Sequence, residues 1–246
     1  MSELTGKRAL ATGASRGIGA AIALMLADKG ADVAITYERS ADRAAEVVRA
    51  IENKGQRGLA IQADSADPAS VKRSVGEAVD GLGGLDILVN SVGIARMGAF
   101  VDLSLADIDA LLNVNVRSAV LATQAAIPQL GHGGRIITIG SNAAERAPIA
   151  GIAGYSLTKS ALLGLTRNLA RELGPQGITV NLVQPGPIDT DMNPADSEFA
   201  GTVRGLTAVG HYGTPDDIAN VVTFLASPAA RYMTGSIVTV DGGYNA

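Results

Sequence analysis

The sequence predicts an α/β fold in which a parallel sheet of about seven strands is covered by helices on both faces. Short apolar, β-rich runs alternate with longer helical patterns from end to end, as repeated βαβ units do. Most of the strand-like runs are almost continuously apolar, which is typical of strands buried on both faces. With 246 residues and no linker, internal repeat or low-complexity tract, we expect one domain spanning 1–246.

The order of the predicted elements supports this fold. Strands are expected at 8–12, 32–37, 58–62, 85–89, 135–140, 179–183 and 236–240. Helices are expected near 18–29, 41–54, 68–81, 104–130, 153–173 and 215–226. Gly30, Gly55 and Gly174 follow helices, and Pro68 and Pro215 open two others, as helix termini prefer.

One connection is much longer than the rest. Between the sixth strand and the last helix, about thirty residues contain several Gly and Pro together with scattered apolar side chains. Connections of this length in a compact domain are usually functional. We therefore expect a substrate lid at about 187–214.

Composition excludes several classes of protein. The net charge is −4, no basic cluster occurs and aromatic residues are 3%, so no nucleic-acid partner is expected. The longest apolar run, 20–27, is too short to cross a bilayer, and no membrane partner is expected. The chain has no cysteine and two distant histidines, which argues against a metal site. The polar start and the lack of cysteine favour a cytoplasmic location.

A glycine-rich turn directly follows the first strand. Gly13, Gly17 and Gly19 open the first predicted helix in the run TGASRGIG. Glycines there let the backbone approach a pyrophosphate, whose charge meets the free N–H groups of the helix. The alternative is a tight strand-to-helix turn, but its place after the first strand of a βαβ chain favours dinucleotide binding.

A second motif has the residue types of a proton-transfer site. Tyr155 and Lys159 are four apart in a helical pattern and therefore share a face, and Ser141 ends the fifth strand fourteen positions upstream of Tyr155. A nearby cation favours phenolate, so we expect Lys159 to lower the pKa of Tyr155 from about 10. Taken singly, Tyr155 could be a packing residue and Ser141 an ordinary strand-end serine. Both gain weight because ligands bind at the carboxyl ends of parallel strands.

The glycine spacing and the Tyr155-x-x-x-Lys159 pair together resemble the short-chain dehydrogenase/reductase family over essentially the whole chain. Further matches are Asp64, Asn115, the pair Pro185-Gly186 and the run 241–243. The run Asn90-Ser-Val-Gly93 differs from the Asn-Asn-Ala-Gly usual in the family. This resemblance implies a Rossmann-type doubly wound sheet with strand order 3-2-1-4-5-6-7.

The resemblance also implies roles for individual residues. Ser141 would bond the substrate oxygen, Tyr155 would give it a proton as hydride leaves a nicotinamide, Lys159 would hold the ribose, and Asn115 would anchor a water in a proton relay. The implied cofactor contacts are Gly13, Ser15, Arg16, Gly17, Ile18, Gly19, Tyr37, Arg39, Asp64, Ser65, Asn90, Ser91, Val92, Gly93, Tyr155, Lys159, Pro185, Gly186, Ile188 and Thr190.

The choice of nicotinamide cofactor depends on the end of the second strand. An acidic residue there would bond the ribose 2′-hydroxyl of NAD, but this sequence has Tyr37. Arg16 resembles the basic residue that meets the 2′-phosphate in NADP-preferring members, and Arg39 would add a second cation. Glu38 is the contrary feature, because its carboxylate would either pair with Arg39 or replace the missing acid. We expect NADP(H), with NAD(H) as the alternative.

The sequence indicates a substrate class without naming the substrate. We expect Ser141, Ala143, Tyr155, Gln184 and Met192 to contact it, with Asn142, Ala144, Ile94 and Phe199 nearby. These mostly small or apolar residues suit a neutral ketone or secondary alcohol. The family's acyl-carrier-protein reductases carry a docking pair of basic residues, and His132 and Gln176 stand at those positions here, although Arg167 and Arg171 lie near.

Three alternatives follow. The first is an NADP(H)-dependent ketoreductase, the second a 3-oxoacyl-acyl-carrier-protein reductase, and the third a dinucleotide-binding regulator with little turnover. The resemblance further implies a homotetramer formed through the segments 104–130 and 153–173 and the last strand.

Overall fold

One parallel sheet organises the chain. The computed structural model describes residues 3–147 and 149–246, so residues 1, 2 and 148 of the expected domain lie outside the described part. Seven strands form a single sheet in the order β3-β2-β1-β4-β5-β6-β7, and every pairing is parallel. The predicted fold class and strand order are confirmed.

The strands lie close to their predicted positions. They are β1 Arg8–Ala11, β2 Asp32–Tyr37, β3 Gly58–Gln62, β4 Leu85–Asn90, β5 Leu130–Ile139, β6 Thr179–Pro185 and β7 Ile237–Val240. The largest difference is at β5, which starts five residues before the predicted 135. Leu130 pairs with Leu85, and the register shifts before Ile87 pairs with Arg135. Gly131, Gly133 and Gly134 fill this irregular stretch, which lacks the apolar run of an ordinary strand.

Helices cover both faces of the sheet. They are α1 Gly17–Asp28, α2 Ala41–Glu52, α3 Pro68–Leu82, α4 Leu105–Leu112, α5 Ser118–Ala126, α6 Ala153–Leu173, α7 Ala200–Gly205 and α8 Pro215–Ala226. Ile22 of α1 and Val222 of α8 belong to one fully buried cluster, whereas Val75 of α3 and Leu173 of α6 belong to another. No helix in the described residues is long and apolar enough to cross a membrane.

The segment predicted to be helical near 104–130 is helical from Leu105 to Gln129, but its hydrogen-bonding pattern is not uniform. A π-helical turn at Asn113–Arg117 separates α4 from α5, and a 3₁₀ turn at Ile127–Gln129 ends the segment. Pro128 lacks the N–H that a continuing α-helix needs, which explains the end. Apolar periodicity did not reveal the wide turn, because a single π-helical turn inside an α-helix changes the spacing of only a few residues.

The two sequence motifs after β6 and β7 meet at the carboxyl edge of the sheet. A Cβ atom on Gly186 would lie 2.5 Å from Cα of Asp241, closer than packing permits. Gly186 is therefore required by the approach of a neighbouring backbone and not by its own φ angle. This contact fixes where the segment 187–214 leaves the sheet.

The segment 187–214 is folded back on itself. Ile188 bridges to Gly213, Thr190 bridges to Asn193, and α7 lies between these ends. Met192 and Phe199 are 59% and 72% exposed. The segment therefore has local structure while much of its apolar surface faces outward.

Replacing Asp67 by alanine should lower the free energy of unfolding by about 1 kcal/mol. Its carboxylate accepts hydrogen bonds from the backbone N–H groups of Ala69 and Ser70, at 3.3 and 2.9 Å, and so caps the start of α3. Urea denaturation would measure the change. Asp80→Ala is the matched control, because this exposed carboxylate lies near the other end of α3 and opposes the helix dipole. An equal loss of stability in both variants would contradict the capping role.

Candidate active site

A cleft of about 700 Å³ lies at the carboxyl ends of the strands, where open α/β sheets bind ligands. Most residues expected from sequence line it. They are Gly13, Ser15, Arg16, Gly17, Ile18, Gly19, Tyr37, Arg39, Ser65, Ser91, Val92, Gly93, Ser141, Ala143, Tyr155, Lys159, Pro185, Gly186, Ile188, Thr190 and Met192. Residues that are separated by up to about 180 positions thus share one cavity.

Several expected contacts lie outside the cleft lining. Gln184 is fully buried in β6, and its Oε1 accepts a hydrogen bond from Thr239 at 3.3 Å. Side chains alternate along a strand, and this position faces the packed layer and not the cleft. The expectation that Gln184 contacts substrate is therefore not met. Phe199 also lies off the cleft lining and is exposed.

Two polar residues expected at the cofactor instead hold the surrounding loops. Asn90 is buried, and its Nδ2 donates to the hydroxyls of Thr123 and Thr138, at 3.1 and 3.4 Å. Asp64 accepts a hydrogen bond from the backbone N–H of Ala66 at 2.8 Å. Neither side chain lines the cleft. Asn90 and Asp64 therefore hold neighbouring segments in place through these hydrogen bonds.

The glycine turn has the close packing that a phosphate cradle requires. Gly13 and Gly17 have φ angles of +64° and +55°, which other residues rarely adopt. A Cβ on Gly19 would lie 2.7 Å from the carbonyl oxygen of Gly13, so the start of α1 packs directly on the turn. A Cβ on Gly13 would meet a methyl group of Val92 at 2.8 Å. The turn therefore fits a dinucleotide, with Val92 closely packed beneath it.

A cluster of charges lies at the outer end of the cleft. Nη1 of Arg16 and Nη1 of Arg43 contact the same oxygen of Asp191, at 3.2 and 2.7 Å. Both arginines lower the pKa of this carboxyl, Arg43 more than Arg16. Arg39 pairs instead with Glu38 at 2.9 Å. Sequence reasoning missed Arg43 and Asp191, because no local pattern indicates a contact between α2 and the segment 187–214.

Lys159 is buried against the end of β5. The residue is 4% exposed, and its Nζ donates a hydrogen bond to the carbonyl of Ile139 at 2.9 Å. Loss of solvation lowers the pKa of this amine to about 8. The same atom would lie 3.4 Å from a Cβ placed on Gly93, so a glycine at that position leaves room for the ammonium.

Tyr155 faces the same cavity, with the amine of Lys159 5.8 Å from the centre of its ring. The expectation of a lowered pKa for Tyr155 is wrong for this structure. Burial raises the pKa of the phenol, and the Ser141 hydroxyl opposes the rise only in part. Removal of water disfavours the charged phenolate and is the larger of the two effects. The phenol is therefore held in its protonated form.

Ser141 and Asn115 border the pair. The Ser141 hydroxyl accepts a hydrogen bond from the backbone N–H of Ala143 at 3.2 Å and so caps the 3₁₀ turn after β5. Asn115 lies in the π-helical turn, where its side chain accepts from the N–H of Ile94 and donates to the carbonyl of Ile94, at 2.8 and 2.9 Å. Its Nδ2 also donates to the Thr158 hydroxyl at 3.0 Å. Asn115 thus joins the strand β4 exit to α6.

The end of the cleft beyond Ser141 is mostly apolar. Its lining includes several aliphatic side chains and two residues with polar groups, namely Met97, Ile149, Ile152, Met192, Val203, Arg146 and Tyr244. Of these, only Met192 was expected from sequence. The others come from loops and from the C-terminal segment, whose positions depend on tertiary contacts.

Comparison with known proteins agrees with this geometry. Residues 13–245 match a family model described as "Enoyl-(Acyl carrier protein) reductase". A crystal structure of a short-chain dehydrogenase from Burkholderia cenocepacia in complex with NADP superposes with a TM-score of 0.98. It is 56% identical and covers 99% of this chain and 100% of the other.

Two curated relatives are similar over nearly the full length. One is the cyclic-di-GMP-binding biofilm dispersal mediator protein of Escherichia coli, 43% identical over 100% of both chains. The other is the 3-oxoacyl-[acyl-carrier-protein] reductase FabG of Staphylococcus aureus, 41% identical over 96% of this chain and 97% of its own. The chain therefore belongs to the short-chain dehydrogenase/reductase family of oxidoreductases.

Proposed function

We propose that this protein interconverts ketones and secondary alcohols with NADP(H) as the hydride donor or acceptor. The observation that carries the proposal is that Ser141, Tyr155 and Lys159 share one cleft with the glycine turn. Family membership and the NADP complex of the Burkholderia relative support it.

The residues present divide the work of reduction. When bound, NADPH supplies hydride to the carbonyl carbon. The Ser141 hydroxyl holds the carbonyl oxygen, and Tyr155 transfers its phenolic proton to that oxygen. Lys159 places a positive charge behind the phenol and stabilises the phenolate left after transfer. Asn115 is buried and does not line the cleft, and its part is to position α6 through the hydrogen bond to Thr158.

The protonation states of Tyr155 and Lys159 suit the reduction of a ketone. Burial keeps the Tyr155 phenol protonated, which is the form that can give a proton to a ketone. The pKa of Lys159, about 8, leaves most of the amine charged at pH 7. Reduction at neutral pH thus starts from a neutral acid beside a cation.

The basic cluster favours NADP(H) over NAD(H). Arg16 lines the cleft and shares Asp191 with Arg43, so this cluster of two cations and one carboxylate keeps a net positive charge that favours a 2′-phosphate. Glu38 is neutralised by Arg39 and therefore repels that phosphate less than a free carboxylate would.

The alternatives rest on particular relatives. Similarity to the Staphylococcus FabG protein supports a 3-oxoacyl thioester as substrate, whereas His132 and Gln176 weaken a docking site for an acidic carrier. Similarity to the Escherichia cyclic-di-GMP-binding protein supports a nucleotide-binding regulator. The apolar residues of the cleft favour a neutral carbonyl substrate over a charged nucleotide, while the positions His132 and Gln176 are what distinguish a free ketone from a carrier-bound thioester.

We propose that the chain forms a single domain with a lid at about 187–214. We further propose that it assembles as a homotetramer and is located in the cytoplasm. Apolar side chains exposed in and beside the expected contact segments support the tetramer, namely Phe100, Val101, Leu105, Leu112 and Leu157. Exposed apolar surface of this kind marks protein interfaces.

Tyr155→Phe should lower kcat/KM for ketone reduction about 10² to 10⁴-fold, because it removes only the proton donor. NADPH oxidation with a panel of hydrophobic ketones would measure this, and fluorescence titration should show nearly unchanged NADPH affinity. Tyr232→Phe, at a residue 99% exposed, is the control. A wild-type protein that binds NADPH but reduces no ketone would instead support the regulator.

Arg16→Ala should raise the KM for NADPH by about 10-fold or more and change the KM for NADH little, since a charge-assisted contact contributes about 1.5–3 kcal/mol. Steady-state kinetics with both cofactors would test this. Arg49→Ala removes one exposed positive charge from α2 away from the cleft and is the control. Equal losses with NADPH and NADH would contradict contact with the 2′-phosphate.

Lys159→Met should abolish most activity and yet raise the free energy of unfolding at pH 7, by up to about 3 kcal/mol from the lowered pKa. The folded protein disfavours the charged amine, so in the wild type the unfolded chain binds more protons between pH 8 and 10.5 and stability rises across that window. The advantage of the variant should therefore shrink as the pH rises from 8 to 10.5. Denaturant titrations of both proteins at pH 7 and above pH 9 would measure the difference in their free energies of unfolding. A difference that does not change with pH would exclude desolvation of Lys159 as its cause.

A further inference from the structure

The C-terminal segment after β7 forms a compact turn against the cleft. Oδ1 and Oδ2 of Asp241 accept hydrogen bonds from the N–H groups of Gly243 and Asn245, both at 3.0 Å. Gly242 and Gly243 have φ angles of +62° and +76°, which this tight turn requires. The turn places Tyr244 6% exposed, with part of its surface lining the cleft.

The same segment is bonded to the loop that follows Ser141. Nδ2 of Asn245 donates to the carbonyl of Asn142 at 3.0 Å, and Nδ2 of Asn142 is 3.4 Å from Oδ1 of Asn245. The guanidinium of Arg146 donates to the carbonyl of Tyr244. Because Asn142 immediately follows Ser141, these bonds fix the position of Tyr244 relative to the proposed reaction centre.

A second set of contacts joins the segment to the end of the lid. The N–H of Val209 donates to the carbonyl of Gly242 at 3.1 Å. Cβ atoms added to Gly242 and Gly243 would lie 2.7 Å from side-chain atoms of Val209 and Ala208. The turn is therefore packed between residues 208–209 and the loop after Ser141, and no side chain would fit at Gly242 or Gly243.

We propose that residues 241–246 form the far wall of the substrate end of the cleft and that Tyr244 determines which ketones are accepted. Its ring limits the length of the larger substituent on the carbonyl carbon and packs against that substituent. Arg146 and Asn142 are positioning residues that hold this wall. The class that fits is a ketone with one small group and one compact apolar or aromatic group. This inference rests on the proposed ketone reduction.

The test is a size series of methyl ketones, with 2-butanone, acetophenone and 2-acetylnaphthalene as probes. Tyr244→Ala should raise the ratio of kcat/KM for 2-acetylnaphthalene to that for 2-butanone by about 10-fold, the effect of roughly 1.4 kcal/mol in relative binding. Tyr244→Phe should leave this ratio within about twofold, since the ring is kept. Tyr232→Ala is the matched control and should leave it unchanged.

Arg146→Gln provides a second variant that keeps the ring but loosens its support. It should shift the same ratio in the same direction, mainly through KM, while the KM for NADPH stays constant. A ratio unchanged in both Tyr244→Ala and Arg146→Gln overturns the inference while leaving ketone reduction intact. If Tyr244→Ala does not fold, Arg146→Gln alone decides in the same way. Failure of the wild type to reduce any of the three ketones overturns the proposed function itself.

Discussion

The burial of one ammonium group determines how the centre of this protein is built. Lys159 lies inside the protein, where a charge is costly, and the carbonyl of Ile139 is its hydrogen-bond partner. That bond ties α6 to the carboxyl end of β5. Gly93 leaves space for the amine, and α6 at the same time directs Tyr155 into the cleft. The bond that packs α6 on the sheet therefore also places Tyr155 and Lys159 in the cleft.

Close approach between backbones supplies the rest of the framework. Gly19 lies against the carbonyl of Gly13, and Gly186 lies against Cα of Asp241, each at a distance that a Cβ would violate. The first contact shapes the glycine turn after β1, which fits a dinucleotide. The second joins the end of β6 to the end of β7, at the start of the segment 187–214. Both contacts lie at the carboxyl edge of the sheet, so small residues at this edge form the cleft by allowing neighbouring segments to meet.

Sequence predicted those features whose causes are local. Short apolar runs that alternate with helical patterns predicted the seven strands. Short motifs predicted Gly13, Tyr155 and Lys159, because spacing along a turn or a helix sets the relative positions of these residues. Prediction from sequence failed for features that depend on contacts between residues far apart in the chain. The direction expected for the pKa of Tyr155 was wrong because burial, which raises this pKa, cannot be judged from a four-residue spacing. Arg43 and Tyr244 were missed because their contacts cross long stretches of chain.

The segment 187–214 is held unequally at its two ends. Near its start, Asp191 is bound by Arg16 and Arg43, and all three side chains are more than half exposed, so water and salt screen these ion pairs. Near its end, Val209 and Ala208 pack tightly on Gly242 and Gly243 and share a backbone hydrogen bond with the C-terminal turn. Exposed ion pairs exchange partners readily, whereas close-packed backbone does not. The start of this segment is thus held by ion pairs that solvent screens, whereas its end is held by close packing on the turn beside Tyr244.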